Sequence, residues 1–360
     1  MADEPVTEAA VQDLLAEFKD PETGRGVTQL QQIHGLQLEG GKLAVTLGLT
    51  SWSAPLWGET GNELAELLRS KFPKLEVDVK TEPHDRPAEG GGELGLTAKS
   101  VIVIGSGKGG VGKSSVAVIL AYGLSNAGCK VGLMDADIYG PSIPHLIGSV
   151  GQPVMHGERI QPVDVDGLKV MSIGFLVPSG EAVIWRGPML HGAMRQFLGD
   201  TDWGDLDYLI IDMPPGTGDI PLSLSQLVPL TGAVVVCTPQ DVALLDAVKA
   251  IGMLRKVGIE VVGMVENMSF FLCPDCDSRH DIFGSGGAKQ KAAELGVPFL
   301  GEIPLNTELR VLGDEGKLRD GFQHQAAGPY LEAICRNLVR ELADERGQQP
   351  VMPKLTVLGQ

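Results

Sequence analysis

The residues best suited to chemistry lie at 105–115, where the chain reads GSGKGGVGKSS. The spacing G-x-x-x-x-G-K-[ST] puts Gly107, Gly109, Gly110 and Gly112 where no side chain separates backbone N–H groups from an anion. Such a loop wraps a phosphate at a helix N-terminus. Lys113 then reaches the β- and γ-phosphate oxygens, and the Ser114 hydroxyl holds Mg²⁺. Lys108 adds a second ammonium group inside the loop. The expected nucleotide-binding set is Gly107, Lys108, Gly109, Gly110, Val111, Gly112, Lys113, Ser114 and Ser115, with ATP as the ligand. A glycine-rich turn without a ligand is the alternative.

Acidic residues follow two apolar runs. Met134 leads into DADIYGPS at 135–142, and Ile211 into DMPPGTGD at 212–219. A carboxylate at the end of a buried strand can hold Mg²⁺ directly or through water, and another can orient the water that attacks a γ-phosphate. Asp212 is therefore expected at the metal, Asp135 beside it, and Asp137 at the attacking water. With Lys108 and Lys113, Asp137 completes the expected catalytic set. The alternative is that all three aspartates are strand-end turn residues. Gly216 and Gly218 would let the second segment move in response to the γ-phosphate. Asn267, in ENMS at 266–269, either reads an adenine edge with its amide or is a plain turn asparagine.

Cys273 and Cys276 form a C-x-x-C pair, a spacing that brings two thiolates onto one turn. Spacing alone leaves four readings open: a bridging iron–sulfur cluster, a bridging zinc, a redox dithiol, or no metal. One pair is half of a four-thiolate site, so a metal reading needs a second copy of the loop, as on the two-fold axis of a homodimer. Cys129, Cys237 and Cys335 lie in or beside apolar stretches, where inert buried thiols are common. His280, the histidine nearest the pair in sequence, reads as a solvated loop residue.

These groups need a frame to position them. The β-branched run at 100–104 and the apolar, helix-length stretch at 114–124 flank the glycine loop in the order strand, loop, helix. Strand-length apolar runs at 131–134, 168–173, 208–211, 233–237, 261–265 and 299–303 alternate with helical stretches. The pattern predicts an α/β fold with a mostly parallel sheet covered by helices on both faces. Ahead of it, residues 1–82 read as a small α+β domain. Helical spacing recurs from Val11 to Phe18 and over 62–71, and alternation marks strands at 42–49 and 75–79. Residues 83–97, rich in Pro, Gly and charge, read as a flexible linker, residues 98–345 as the P-loop domain, and 346–360 as a loose tail.

The chain of 360 residues carries a net charge of −17, which disfavours a broad polyanion-binding surface, so neither nucleic acid nor membrane is an expected partner. No apolar run approaches the roughly 18 residues of a membrane span, and the N-terminus lacks the pattern of a signal peptide. The expected compartment is cytoplasmic. Five cysteines without a secretory signal suggest thiols kept reduced.

Taken together, the glycine loop, DADIYGPS, WRGPM at 185–189, DMPPGTGD, ENMS and the C-x-x-C pair resemble the Mrp/ApbC family of iron–sulfur cluster carrier ATPases over about residues 98–342. The loop is of the deviant Walker A type shared with MinD/ParA relatives. The resemblance implies a homodimer in which Lys108 reaches the partner's nucleotide. It also implies a 4Fe-4S cluster shared by Cys273 and Cys276 of two subunits, with apo iron–sulfur proteins and cluster-assembly scaffolds as partners. Residues 1–82 resemble the small iron–sulfur assembly domain often fused ahead of these ATPases, with Asp20-Pro21-Glu22 as its opening motif. Where many such domains carry a cysteine, this chain has LTSWSAPL at 49–56, so partner docking is the expected role. Two other functions fit the same loop: a MinD/ParA-like positioning ATPase and a zinc-bridged, ATP-regulated scaffold. The positioning ATPase would need a basic amphipathic end or basic patch, and the tail here carries one lysine.

Overall fold

The computed structural model describes residues 6–138, 140–176, 187–216, 220–274, 276 and 278–348. Tyr139, Trp185, Arg186, Gly218, Asp219, Asp275 and the tail from 349 lie outside the described residues. The chain divides into two compact units, 1–86 with 339–360, and 87–338.

In the first unit, Thr7 opens α1 (Glu8–Glu17) by accepting from the Ala10 N–H at 3.3 Å, and Val11, Leu14 and Leu15 form its buried face. The sheet has the order β1 (Ile33–Glu39), β2 (Lys42–Leu49), β3 (Glu76–Pro83). β1 and β2 are antiparallel, whereas β2 and β3 are parallel and joined through α2 (Trp57–Lys71). Leu43, Leu47, Leu64 and Leu68 close the core between sheet and helices. β1 is not among the alternating runs seen in the sequence. A bulge at His34 shifts its register, so Ile33 pairs with Leu47 but Gly35 pairs with Thr46, and the alternation is interrupted.

The second unit is built on an eight-stranded sheet. Its elements in chain order are β4 (Ala98–Gly105), α3 (Lys113–Asn126), β5 (Val131–Asp135), α4 (Ile143–Leu146), the hairpin β6 (Val154–His156) and β7 (Arg159–Gln161), β8 (Val163–Val165) and β9 (Leu168–Ser172). There follow α5 (Gly187–Gly199), β10 (Leu206–Asp212), α6 (Ile220–Leu227), β11 (Gly232–Cys237), α7 (Asp241–Lys256) and β12 (Val261–Glu266). The short hairpin β13 (Phe271–Leu272) and β14 (Arg279–His280), then α8 (Gly287–Leu295), β15 (Phe299–Glu302), α9 (Thr307–Asp314) and the start of α10 (Gly328–Gln348) complete it, the helix passing into the first unit at Val339.

The sheet order is β15-β12-β11-β4-β10-β5-β9-β8, parallel except that β8 runs antiparallel to β9. Alternate strand residues serve the two faces. Val101, Val103, Leu209 and Ile211 join a core with Met194 and Phe197 of α5, Leu224 of α6, Ile251 of α7 and Ala292 of α8. α3 packs against β4, β5 and β10 and is buried along most of its length, which is why its sequence is apolar all round. Every residue of β4 from Ser100, and every residue of β5 and β10, is buried. These are the continuous apolar runs expected of parallel strands covered on both sides.

Candidate functional site

β4, β10 and β5 are neighbours in the sheet, and their C-terminal ends deliver the charged residues to one place. Asp212 pairs in register with Ile104 on one side and with Asp135 on the other. The glycine loop leaves β4 and turns into α3 at Gly112, which has φ of 80°. An added Cβ there would fall 2.1 Å from Asn267 Nδ2, so both the backbone angle and the space demand glycine. Ser106 Oγ donates to the Lys108 carbonyl at 2.9 Å, fixing the turn from inside.

Lys113 is buried with its Nζ 2.5 Å from Asp212 Oδ1, 3.3 Å from Ser114 Oγ and 3.9 Å from Asp137 Oδ2. Asp135 is fully buried and saturated: Oδ1 accepts from the Asp137 N–H at 3.0 Å, and Oδ2 accepts from Ser172 Oγ at 2.9 Å and the Ile143 N–H at 3.4 Å. Burial, and secondly the Asp212 charge, push its carboxyl up to about 7. Burial also raises Asp212, opposed by the Lys113 ammonium and a hydrogen bond from Ser114. Among the described residues, Asp212 Oδ2 is buried without a hydrogen-bond partner. A hydroxyl and an unpartnered carboxylate oxygen make a donor set that fits a hard divalent cation such as Mg²⁺. The structure thus brings Lys113, Ser114, Asp135, Asp137 and Asp212 together.

Asn267 follows β12, with its amide donating to the Val111 carbonyl at 2.9 Å and its backbone N–H to the Cys237 carbonyl at 2.8 Å. It supports the glycine loop from behind and lines a cavity of about 510 Å³ that Ser115, Met268, Pro304, Leu305 and Asn306 also border. Met268 takes a left-handed φ of 55°, a conformation a non-glycine residue adopts only when its surroundings impose it. Glu266 is fully used: Oε1 accepts from Ser269 Oγ at 2.5 Å and Oε2 from the Ala288 N–H at 2.9 Å. Gly216, with φ of 91°, donates its N–H to the Ser106 carbonyl at 2.9 Å and so ties the segment after Asp212 to the glycine loop.

Sequence reasoning missed Ser106, Ser172 and the cavity wall at 304–306. Serines at strand ends carry no periodic signal, and the wall comes from a segment distant in the chain.

The C-x-x-C pair sits in the turn of the β13–β14 hairpin. The Cys273 N–H donates to the Ser278 carbonyl at 3.0 Å, while Cys276 Sγ lies 3.0 Å from Ser278 Oγ, itself 3.0 Å from His280 Nε2. Cys276 is exposed and Cys273 half-buried, whereas Cys129, Cys237 and Cys335 are buried. Burial pushes the Cys237 and Cys335 thiols up to about 12, which keeps them protonated and unreactive. A second cavity, of about 730 Å³, reaches Cys273 and is bordered by Pro274, Thr307, Gln323, His324 and Tyr330. Among the described residues, no group of three or more His, Cys, Asp or Glu side chains is arranged to hold a metal ion. Among them, too, no helix is long and apolar enough to cross a membrane.

The family described as NUBPL iron-transfer P-loop NTPase (ParA) matches residues 97–339, and that described as iron–sulfur cluster assembly protein matches residues 8–79. The iron–sulfur cluster carrier protein of Deinococcus radiodurans is 43% identical over 346 residues, covering 94% of this chain and 98% of the relative. That of Escherichia coli (strain K12) is 44% identical over 319 residues, covering 86% and 85%.

This chain belongs to the Mrp/ApbC family of iron–sulfur cluster carrier ATPases.

A solved relative, a nucleotide-binding protein of Archaeoglobus fulgidus in complex with ADP, shares 43% identity and superposes with a TM-score of 0.56 over 62% of this chain and 89% of its own. The MinC:MinD cell division complex of Aquifex aeolicus, at 20% identity and a TM-score of 0.50 over 66% and 95%, shares the fold. This chain therefore shares its fold with a MinD cell division protein.

Proposed function

We propose that this chain binds and hydrolyses ATP and carries an iron–sulfur cluster, held as cargo by Cys273 and Cys276 of two subunits and passed to apo-proteins. The observation that carries the reading is the sorting of the thiols: the loop pair is accessible on a hairpin, while the other three are buried. A shared, solvent-facing site opens when the subunits separate, so cargo held there is labile.

At the nucleotide end, the glycine loop and the α3 N-terminus bind the phosphates, and the 510 Å³ cavity beside Asn267 takes the base. Lys113 moves its charge from Asp212 toward the γ-phosphate as negative charge builds on the transferred group. Mg²⁺, held by Ser114 and Asp212, would neutralise phosphate charge. Asp137 orients the attacking water, and Asp135 holds the Asp137 backbone in place. Lys108 supplies a second positive charge, across a homodimer interface, to the partner's nucleotide. Gly216, hydrogen-bonded to the loop through Ser106, senses the γ-phosphate and transmits the change. The first unit serves as a docking module for assembly scaffolds or recipients, and the protein works in the cytoplasm.

Anaerobic reconstitution with iron and sulfide tests the proposal. The expected result is a brown dimer with one 4Fe-4S cluster per two chains, with cluster lost and ATP affinity kept in Cys273→Ala. A monomer that never takes up iron, or a Cys273→Ala protein that retains a full cluster, would overturn it.

A further inference from the structure

Three adjacent strands of the first unit bring two imidazoles and a carboxylate together on its sheet. His34 occupies the β1 bulge, a device that redirects a side chain. Its ring lies directly over Gly48 of β2, where an added Cβ would come within 2.4 Å of ring carbon Cε1. Glu82, paired with Gly48 across β2 and β3, places Oε1 2.5 Å from His34 Nδ1. His84 follows β3, anchored by its N–H to the Leu49 carbonyl at 2.8 Å, and sets its Nδ1 3.0 Å from His34 Nε2. Two residues on, Arg86 is gripped by Asp20 Oδ2 at 2.9 Å and Glu22 Oε2 at 3.5 Å, so the acidic opening motif of the domain fixes the segment that carries His84.

We propose that His34 and His84 form a binding site for a borderline divalent cation such as Zn²⁺, Ni²⁺ or Cu²⁺, with Glu82 orienting His34 from behind. Nitrogens 3.0 Å apart can both reach a cation at the usual metal–nitrogen distance of about 2.0–2.1 Å. Glu82 accepts the Nδ1 proton of His34 and leaves the Nε2 lone pair facing His84, the carboxylate–histidine–metal arrangement that fixes a ligand's tautomer. The side chain of His34 is 26% exposed, giving solvent access for entry and water for the remaining coordination positions. The assembly-protein match covers His34 and ends at residue 79, before Glu82 and His84, and the site stands independently of the carrier reading.

The test is a Zn²⁺ titration by calorimetry of the full chain carrying Cys273→Ser and Cys276→Ser, so that the loop thiols do not compete, with Mg²⁺ in excess. The expected result is one saturable site that His84→Ala abolishes and Glu82→Gln weakens about 10- to 100-fold. In the same background, the electron spin resonance of bound Cu²⁺ should show two coordinating nitrogens, a signature lost in His84→Ala; circular dichroism checks that the variant folds. No saturable uptake, or uptake and nitrogen count unchanged by His84→Ala, would overturn the proposal.

Discussion

Asp135 and Asp212 differ in what they leave unused. Asp135 spends both oxygens on hydrogen bonds, to Ser172 and to the N–H groups of Asp137 and Ile143, and so acts as a scaffold for the turn that carries Asp137. Among the described residues, Asp212 keeps one oxygen unpartnered beside Lys113 and Ser114, which leaves it an acceptor position to offer. The pH dependence of stability follows from the same burial. Asp135 in the folded chain titrates near 7 against an ordinary value of 3.8, so between those limits the folded state holds a proton that the unfolded state has lost. Stability should therefore fall as pH rises through roughly 4 to 7, by on the order of a few kcal/mol, and level off above. Thermal melting of the nucleotide-free protein between pH 5 and 8 should show the decline, and Asp135→Asn should flatten it. A midpoint that rises with pH in this window, with no change in the variant, would contradict the assignment.

At the level of elements, helix caps shape the walls of the cavity. Asn306 accepts from the Leu309 N–H at 2.9 Å and opens α9, and the same residue borders the cavity beside Asn267. Asn306→Ala should cost about 1 kcal/mol in urea denaturation and weaken ATP binding measured by titration, since the wall and the helix start together. Three of the strands that the sequence made legible share one property. β4, β5 and β10 are buried on both faces, so their identity is written in uninterrupted apolar runs, and the carboxylates at their ends follow from strand order. β1 was hidden because His34 and its bulge break the alternation, and the β6–β7 hairpin because Val154 and Met155 face solvent and answer to no core. Asn267 stayed ambiguous for a different reason. Whether its amide meets a base or the Val111 carbonyl is decided by a segment far away in the sequence, which spacing cannot reveal.

On the scale of the whole chain, the last helix has a second allegiance: residues 339–348 cluster with the first unit. Arg340 pairs with Glu59 at 2.5 Å, Arg346 stacks on the Trp52 ring at 4.3 Å and donates to the Glu22 carbonyl at 2.9 Å, and Leu342 is buried. A chain ending at Leu338 should lose at least about 2 kcal/mol of first-unit stability, from the buried leucine alone. Denaturation followed by Trp52 and Trp57 fluorescence, with other tryptophans replaced, reads this directly; an unchanged midpoint would show that the helix end is dispensable.

The segregation of the thiols into two accessible and three hidden groups has a practical corollary. A colorimetric reagent added to the native, metal-free protein should consume two equivalents at once, and denaturant should release the remaining three. The ratio of the fast to the total reading then becomes an internal gauge of correct folding in every preparation, before any iron is added.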